Sequence, residues 1–369
     1  MISQRVAGLK PSIIREMFAR KKPSSIDLTL GEPALPPDPE IMEAAWQSLR
    51  AGAQGYTPNA GLPELRSLIA RHHALPGRDT EAHVIVTVGS QEAVFLAMAT
   101  TLDVGDEVLI PEPGYPAYRN IAQMLGAIAV PYPISRDTGL VARADAIAAR
   151  ISARTRLLIT NSPSNPFGTV DSEVELAQIA ALGITILSDE IYADLYYPAG
   201  KPPSIARMSP NAMLATGLSK SCALTGQRLG YLIAPTAVVP KAILAHQLLV
   251  TCAPRLAQLA AIEVFRQPEY LVKHLAYYRE TRAAIEKARG DLELFVGDGA
   301  FYAILDVSKH AQGDPLKLAL ELLDAEDVVA VPGTAFGAGG EWFFRLSYAA
   351  GPEAISEGLR RINRFLLRH

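Results

Sequence analysis

Apolar residues along this chain follow two rhythms. Short runs closed by glycine, proline or polar clusters, at residues 84–88, 108–110, 128–132, 156–160, 184–187 and 212–215, read as buried β-strands. Between them lie segments with helical spacing at 40–49, 92–102 and 121–125. A further helix opens at Leu62-Pro63-Glu64-Leu65-Arg66, with proline in a favoured first-turn position and Leu65, Leu68 and Ile69 as its apolar stripe. Another spans 171–182, with Asp171 as its expected N-cap. Strands alternating with helices predict an α/β fold: a mainly parallel sheet flanked by helices. Residues 156–187 read as a β-α-β crossover, which brings Asn165 and Asp189 to one edge of that sheet.

Towards the C-terminus the rhythm changes. Helices are expected at 238–249 and 263–288, the latter interrupted near Pro268 and long enough beyond it to bridge two domains. Apolar segments 295–306, 328–331 and 342–348 then read as strands of a smaller α+β domain. The expected division is an arm with part of the small domain at 1–40, a large domain at 41–271, and the small domain at 272–369. Residues 1–25 are mixed and basic and suit an arm with one helical turn; 27–30 alternate. His72-His73 is expected on a helix surface.

Composition narrows the class. A chain of 369 residues, 49% of them hydrophobic, can bury a sizeable core. Its 35 basic and 38 acidic residues give a net charge of −3, which offers a nucleic acid no electrostatic footprint. Two cysteines, Cys222 and Cys252, suit a reducing cytoplasm rather than a disulfide framework. The opening residues lack a signal peptide's apolar core, and no apolar run reaches membrane-spanning length. The histidines show no metal-ligand spacing, so no metal is expected.

Candidate chemistry gathers at the ends of the expected strands, where ligands of α/β sheets bind. Lys220 follows the 212–215 run and Gly217, and a lysine desolvated there is suited to Schiff-base chemistry. Arg228, eight residues on, supplies a fixed charge for an anion. The run 84–88 passes through Gly89-Ser90-Gln91 directly into a helix, so free backbone N–H groups and the helix dipole form an anion site. The Gly-x-Gly-x-x-Gly spacing of dinucleotide folds is missing. Arg345 lies inside the apolar run Trp342–Tyr348, where a guanidinium needs an anionic partner such as a carboxylate.

Ser219-Lys220 with Gly226, Arg228, Gly230 and Tyr231 resembles the lysine motif of fold-type I, class I/II aminotransferases dependent on pyridoxal 5′-phosphate. Gly31-Glu32-Pro33, Tyr56-Thr57, Tyr115-Pro116, Asn165-Pro166-Phe167-Gly168, Asp189 with Tyr192, and the segment from Val331 to Arg345 match that family's motifs in order. The resemblance implies amino transfer between an L-amino acid and a 2-oxo acid. Lys220 would be the Schiff-base lysine and proton shuttle, and Asp189 the partner of the pyridine nitrogen. Tyr192 and Asn165 would bond the cofactor's 3′-oxygen, and Tyr115 would stack on its ring. Gly89, Ser90, Gln91, Ser219 and Arg228 would surround the phosphate. Gly31, Asn165 and Arg345 would receive the substrate, with Arg345 on its α-carboxylate. Tyr56 would reach the phosphate of a neighbouring subunit, which implies a homodimer with shared sites. Two positions depart from the family pattern. Gly217 replaces a phosphate-binding serine, a loss that Thr216 or a water would have to make good, and Phe167 replaces a threonine. A β-lyase on the same scaffold, and a non-catalytic cofactor-binding regulator, are the alternative readings.

Overall fold

The computed structural model describes residues 2–9, 11, 13–29, 31–52 and 54–369. Leu30, the last position of the expected 27–30 segment, lies outside the described residues. A short strand, β1 (Ile26–Asp27), comes first. The expected apolar runs then become β2 (Val84–Val88), β3 (Glu107–Glu112), β4 (Ile128–Pro133), β5 (Thr155–Asn161), β6 (Thr185–Asp189) and β7 (Ala212–Gly217), and a further strand, β8 (Leu229–Ile233), follows Arg228. These seven form one sheet in the order β2-β8-β7-β6-β5-β3-β4. Pairing from β4 through β7 is parallel, and β8 runs antiparallel to both β7 and β2.

Strand side chains alternate between two cores, as the pleat requires. Val84, Val86, Leu158, Leu214 and Ile233 pack into one core with the helices Pro63–His73 and Arg255–Arg266. Ile85, Leu157, Ile159, Met213 and Leu232 enter the other, under the helices Ser90–Ala99, Ala117–Leu125 and Val239–Val250. Each such fully buried aliphatic side chain contributes about 1.5–3 kcal/mol.

A second, antiparallel sheet orders β12 (Val331–Pro332), β13 (Phe343–Ser347), β10 (Tyr302–Asp306) and β9 (Leu294–Val296). Beside it β11 (Val328–Val329) pairs in parallel with β1, which ties the start of the chain to its end. The helices Glu269–Ala288, Pro315–Glu326 and Pro352–Leu366 enclose this unit's core. Among the described residues no helix is long and apolar enough to cross a membrane.

Several expectations need correction. The expected 295–306 strand is a hairpin, β9 and β10, turned at Gly297-Asp298-Gly299. There the backbone meets the 163–168 loop, and Gly299 N–H donates to the Gly168 carbonyl at 2.9 Å. The 328–331 run divides because Val328–Val329 pairs with β1 while Val331–Pro332 pairs with β13. Asp171 does not cap its helix. Ser172 does, accepting from Glu175 N–H at 3.2 Å, and the helix spans Glu173–Ala180. The Asp171 carboxylate accepts instead from Ala142 N–H at 3.0 Å, and burial pushes its pKa up to about 7. The 263–288 helix breaks around Pro268 as expected, into Arg255–Arg266 and Glu269–Ala288, but its first part starts eight residues earlier. The two histidines are not on an open surface: His72 packs on Phe265, and His73 Nε2 lies 2.9 Å from the Tyr231 hydroxyl.

Candidate active site

Parallel pairing puts the carboxyl ends of β5, β6 and β7 side by side, with Asn161 in register with Asp189 and Asp189 with Ala215. The loops leaving these ends open into a cleft of about 320 Å³. Its opposite wall comes from β10, β13 and the segment after β1, through Tyr302, Arg345, Thr29 and Gly31.

Asp189 lies at the floor, buried. The Tyr118 hydroxyl donates to its Oδ2 at 2.7 Å, and Ile191 N–H donates to Oδ1 at 3.3 Å. Burial raises its pKa to about 6, against the lowering effect of those two bonds and of the Lys220 charge. Lys220 Nζ donates to the Gly31 carbonyl at 2.7 Å. Desolvation, helped by the nearby Arg228 charge, brings the Lys220 pKa down to about 8, while Glu32 opposes the shift. An amine with that pKa is available as a nucleophile near neutrality.

At the anion end, β2 runs through Gly89, at φ +77°, into the Ser90–Ala99 helix. Arg228 also has positive φ, +51°, uncommon for a side-chain-bearing residue. Its guanidinium sits where a Gly89 side chain would be, with Nη1 donating to the Thr225 carbonyl at 3.2 Å. Ser90, Gln91 and Ser219 line the same end. Gly217 faces Gly230 across the β7–β8 pair. A Cβ on Gly217 would lie 2.7 Å from the Leu229 carbonyl oxygen and 2.8 Å from Gly230 Cα, so backbone occupies the place of a side chain. Thr216 does not substitute for the missing serine, because its hydroxyl donates to the Glu190 carbonyl at 3.0 Å.

Arg345 is 2% exposed. Its Nη1 donates to Asn165 Oδ1 at 3.0 Å and its Nη2 to the Thr29 carbonyl, while Nε has no partner. The guanidinium carbon lies 4.4 Å from the Tyr302 ring centre and 5.0 Å from that of Phe336. No carboxylate among the described residues bears on its charge. A buried guanidinium without an anion is an incomplete arrangement that a bound carboxylate would complete.

The cleft therefore brings together Gly31, Ser90, Gln91, Tyr115, Asn165 and Asp189 with Tyr192, Ser219, Lys220, Arg228 and Arg345. Gly89 stands directly behind Arg228. Tyr56 is the exception: it is 84% exposed and lies outside the cleft. Sequence reasoning missed Tyr118, Asn161, Thr29 and Tyr302. Tyr118 orients Asp189; Asn161 accepts from Asn165 N–H at 2.8 Å and donates to the Asp189 carbonyl at 2.9 Å. The Tyr302 hydroxyl meets that of Tyr192 at 2.6 Å. A signal existed for Tyr118 and Asn161, which stand in the very strand-end segments that yielded Tyr115 and Asn165. Among the described residues no cluster of acidic, histidine or cysteine side chains could hold a metal ion.

Residues 23–362 match the family model "Aminotransferase class I and II". The chain is 35% identical to the aspartate aminotransferase of Pyrococcus horikoshii, over 99% of this chain and 97% of that one. It is 33% identical to a probable aspartate/prephenate aminotransferase of Aquifex aeolicus, over 99% and 98% of the two chains. Among solved structures, Thermus thermophilus aspartate aminotransferase with maleate superposes with a TM-score of 0.92 at 30% identity, covering 99% of both chains. An aminotransferase from Mycobacterium tuberculosis superposes at 0.91 with 32% identity, covering 100% of both.

Proposed function

The chain belongs to the aminotransferase class I and II family and is an aminotransferase, acting between an amino acid and a 2-oxo acid; we propose that pyridoxal 5′-phosphate is its cofactor and that Lys220 holds it. The convergence of Lys220, Asp189 and the anion-free Arg345 on one cleft carries this reading. The residues fit the cofactor. The guanidinium of Arg228, the first-turn N–H groups of the Ser90–Ala99 helix and Ser219 make a phosphate cradle. Asp189 offers a carboxylate, and Tyr115 an aromatic face. When bound, the cofactor supplies an electron sink for bond breaking at the substrate Cα.

Around it each residue has a physical task. Lys220 Nζ takes and returns the Cα proton, and its pKa of about 8 leaves both protonation states populated near neutral pH. Asp189, with a pKa near 6 in the empty cleft, is ionised above that pH, and with Tyr118 on Oδ2 the Oδ1 atom, which carries only the longer bond from Ile191 N–H, has capacity for a cationic nitrogen. Arg345 grips the α-carboxylate and so orients the bonds at Cα. Tyr192 and Asn165 hold the ring oxygen, and Gly31, whose side-chain position is taken by the Tyr302 hydroxyl, brings its backbone to the substrate.

In this reading residues 41–271 form the large, cofactor-binding domain, and 1–40 with 272–369 the arm and small domain. The working molecule is a cytoplasmic homodimer, with Tyr56 reaching the partner's phosphate. Two features support the dimer. The Tyr56 loop is bonded to the segment after the Val239–Val250 helix, through Asn59 Nδ2 to the Thr251 carbonyl at 2.7 Å and Arg255 Nη2 to the Tyr56 carbonyl at 3.0 Å. That helix leaves Leu244, Leu248 and Leu249 exposed, an apolar patch suited to a second copy.

Borohydride reduction followed by peptide mapping tests the assignment. The label should fall on Lys220, and Lys220→Ala should lower the single-turnover rate by about 10⁴-fold. Label on another lysine would refute it.

A further inference from the structure

Phe167, which stands where the family pattern has threonine, has no task in the assignments above. It lies two residues after Asn165 on the loop that leaves β5, and it is 1% exposed. Its ring packs on the small sheet. The ring centre lies 5.4 Å from that of Phe343, inside a cluster with Leu140, Ile304, Val331 and Phe336. Phe343 and Arg345 are two apart on β13 and so share a face. Ile304 and Val331 lie directly opposite Arg345 on the neighbouring strands. Arg345 therefore rises from an otherwise apolar face, which Phe167 and Leu140 cover from the large-sheet side. Phe336 continues the contact, 6.2 Å from Phe343 ring to ring and 5.0 Å from the Arg345 guanidinium carbon. The same loop holds the guanidinium through Asn165, whose Oδ1 accepts from Arg345 Nη1 at 3.0 Å. A pocket of about 20 Å³ borders both Asn165 and Phe167, and Ser164, Thr169 and Asp171 give it polar walls. That space suits about one water. A threonine at 167 would add the volume of the lost ring to it and open the back of Asn165 to further water.

We propose that Phe167 is a positioning residue for substrate binding: its ring locks the Asn165 loop onto β13 and keeps the base of Arg345 dry, so the carboxylate grip is set before a substrate arrives. The inference rests on reading Arg345 as the α-carboxylate grip and adds what holds that grip in place. A dry backing matters because the attraction between guanidinium and carboxylate weakens wherever water can screen it. A fixed fork matters because bidentate pairing needs both N–H groups aligned at once.

The experiment compares wild type, Phe167→Thr, Phe167→Val and Phe167→Met as holoenzymes. It measures kcat and KM with the amino-acid donor that wild type uses best, the calorimetric Kd of butyrate as a bare carboxylate probe, and the cofactor Kd. Phe167→Thr should raise both the KM and the butyrate Kd by about threefold to tenfold, a fraction of the value of one charge-assisted bond. Its kcat and cofactor Kd should stay nearly unchanged. Phe167→Val, with the shape of threonine but no hydroxyl, should fall between Phe167→Thr and wild type. Phe167→Met refills the space and should restore most of the affinity. If Phe167→Thr does not fold, Phe167→Val carries the same comparison. An unchanged KM and butyrate Kd in the folded variants overturns the inference. So does a loss shared equally by substrate, cofactor and kcat, which is what a merely structural ring would give, and so does a wild type that does not bind butyrate. If wild type turns over no donor, the aminotransferase reading fails instead, and the butyrate comparison still decides the role of Phe167.

Discussion

On the wall built from strand ends of the large sheet, the buried groups that shape the floor already have protein partners, although Arg228 there has no ion pair among the described residues. Asp189 accepts from Tyr118 and Ile191, Asn161 bridges Asn165 to the Asp189 carbonyl, and Arg228 is held by Thr225. On the facing wall Arg345 keeps Nε without a partner and its charge without a carboxylate. The difference separates a resident from a visitor. In the proposed reading, the floor groups that would face a permanent cofactor are fixed by the protein itself, whereas the group that would meet a transient substrate is left one bond short. Preorganisation on the first wall lowers the reorganisation needed during reaction.

Substitutions can test that contrast. On the satisfied wall, Asp189→Asn should lower the half-reaction rate roughly a hundredfold, from loss of a charge-assisted bond worth on the order of 3 kcal/mol. A cationic nitrogen beside Asp189 would lower its pKa below the empty-cleft value of about 6, so wild-type cofactor affinity should fall as pH drops through about 6, where Asp189 of the empty site protonates, and the variant should lack this limb. Stability has the opposite sign. A pKa raised from 3.8 to about 6 in the folded state contributes stability that is lost as pH rises through about 6, so Asp189→Asn should remove that slope from apoprotein melting curves.

On the unsatisfied wall, Arg345→Lys should raise the substrate KM about tenfold to thirtyfold and leave the cofactor Kd nearly unchanged, because lysine lacks the bidentate fork. Equal losses of both affinities, measured by titration, would erase the distinction between the walls. Gly217→Ser probes how tightly the first wall is packed. The sequence invites the idea that a serine would restore a phosphate contact, but backbone fills the space, so the variant should be destabilised by about 1–3 kcal/mol and should gain no cofactor affinity. Denaturant melts and cofactor titration read both. The smallest effect belongs to neither wall of this chain: Tyr56→Phe should weaken cofactor binding by about 1 kcal/mol in a dimer, and light scattering should show that dimer.

Much of this was legible in the sequence because it is local. The 84–88 run, Gly89 and the following helix announce themselves by periodicity, and strand-end loops carry Asn165, Asp189 and Lys220 in order. Tyr302 was not legible, since its meeting with Tyr192 depends on a hairpin that the sequence reading had merged into one strand. Gly217 misled for a similar reason: period-two alternation says which face a residue takes, not how near the neighbouring strand comes. Asp171 looked like a cap because the helix rhythm does not show which of two adjacent polar residues turns inward.

The grip on Arg345 draws on opposite ends of the chain. Its Nη2 bonds the Thr29 carbonyl, next to β1, and β1 itself pairs with β11, Ile26 against Val328. In the proposed reading, the residues for the phosphate cradle and Lys220, with Tyr56 from a second copy, lie within 56–228, so a ribosome roughly three-fifths of the way through its message has already made them. The carboxylate grip cannot close until Arg345 emerges and the waiting N-terminal strand docks, a pairing of high contact order. In that reading the substrate end of this cleft is completed only after the cofactor end.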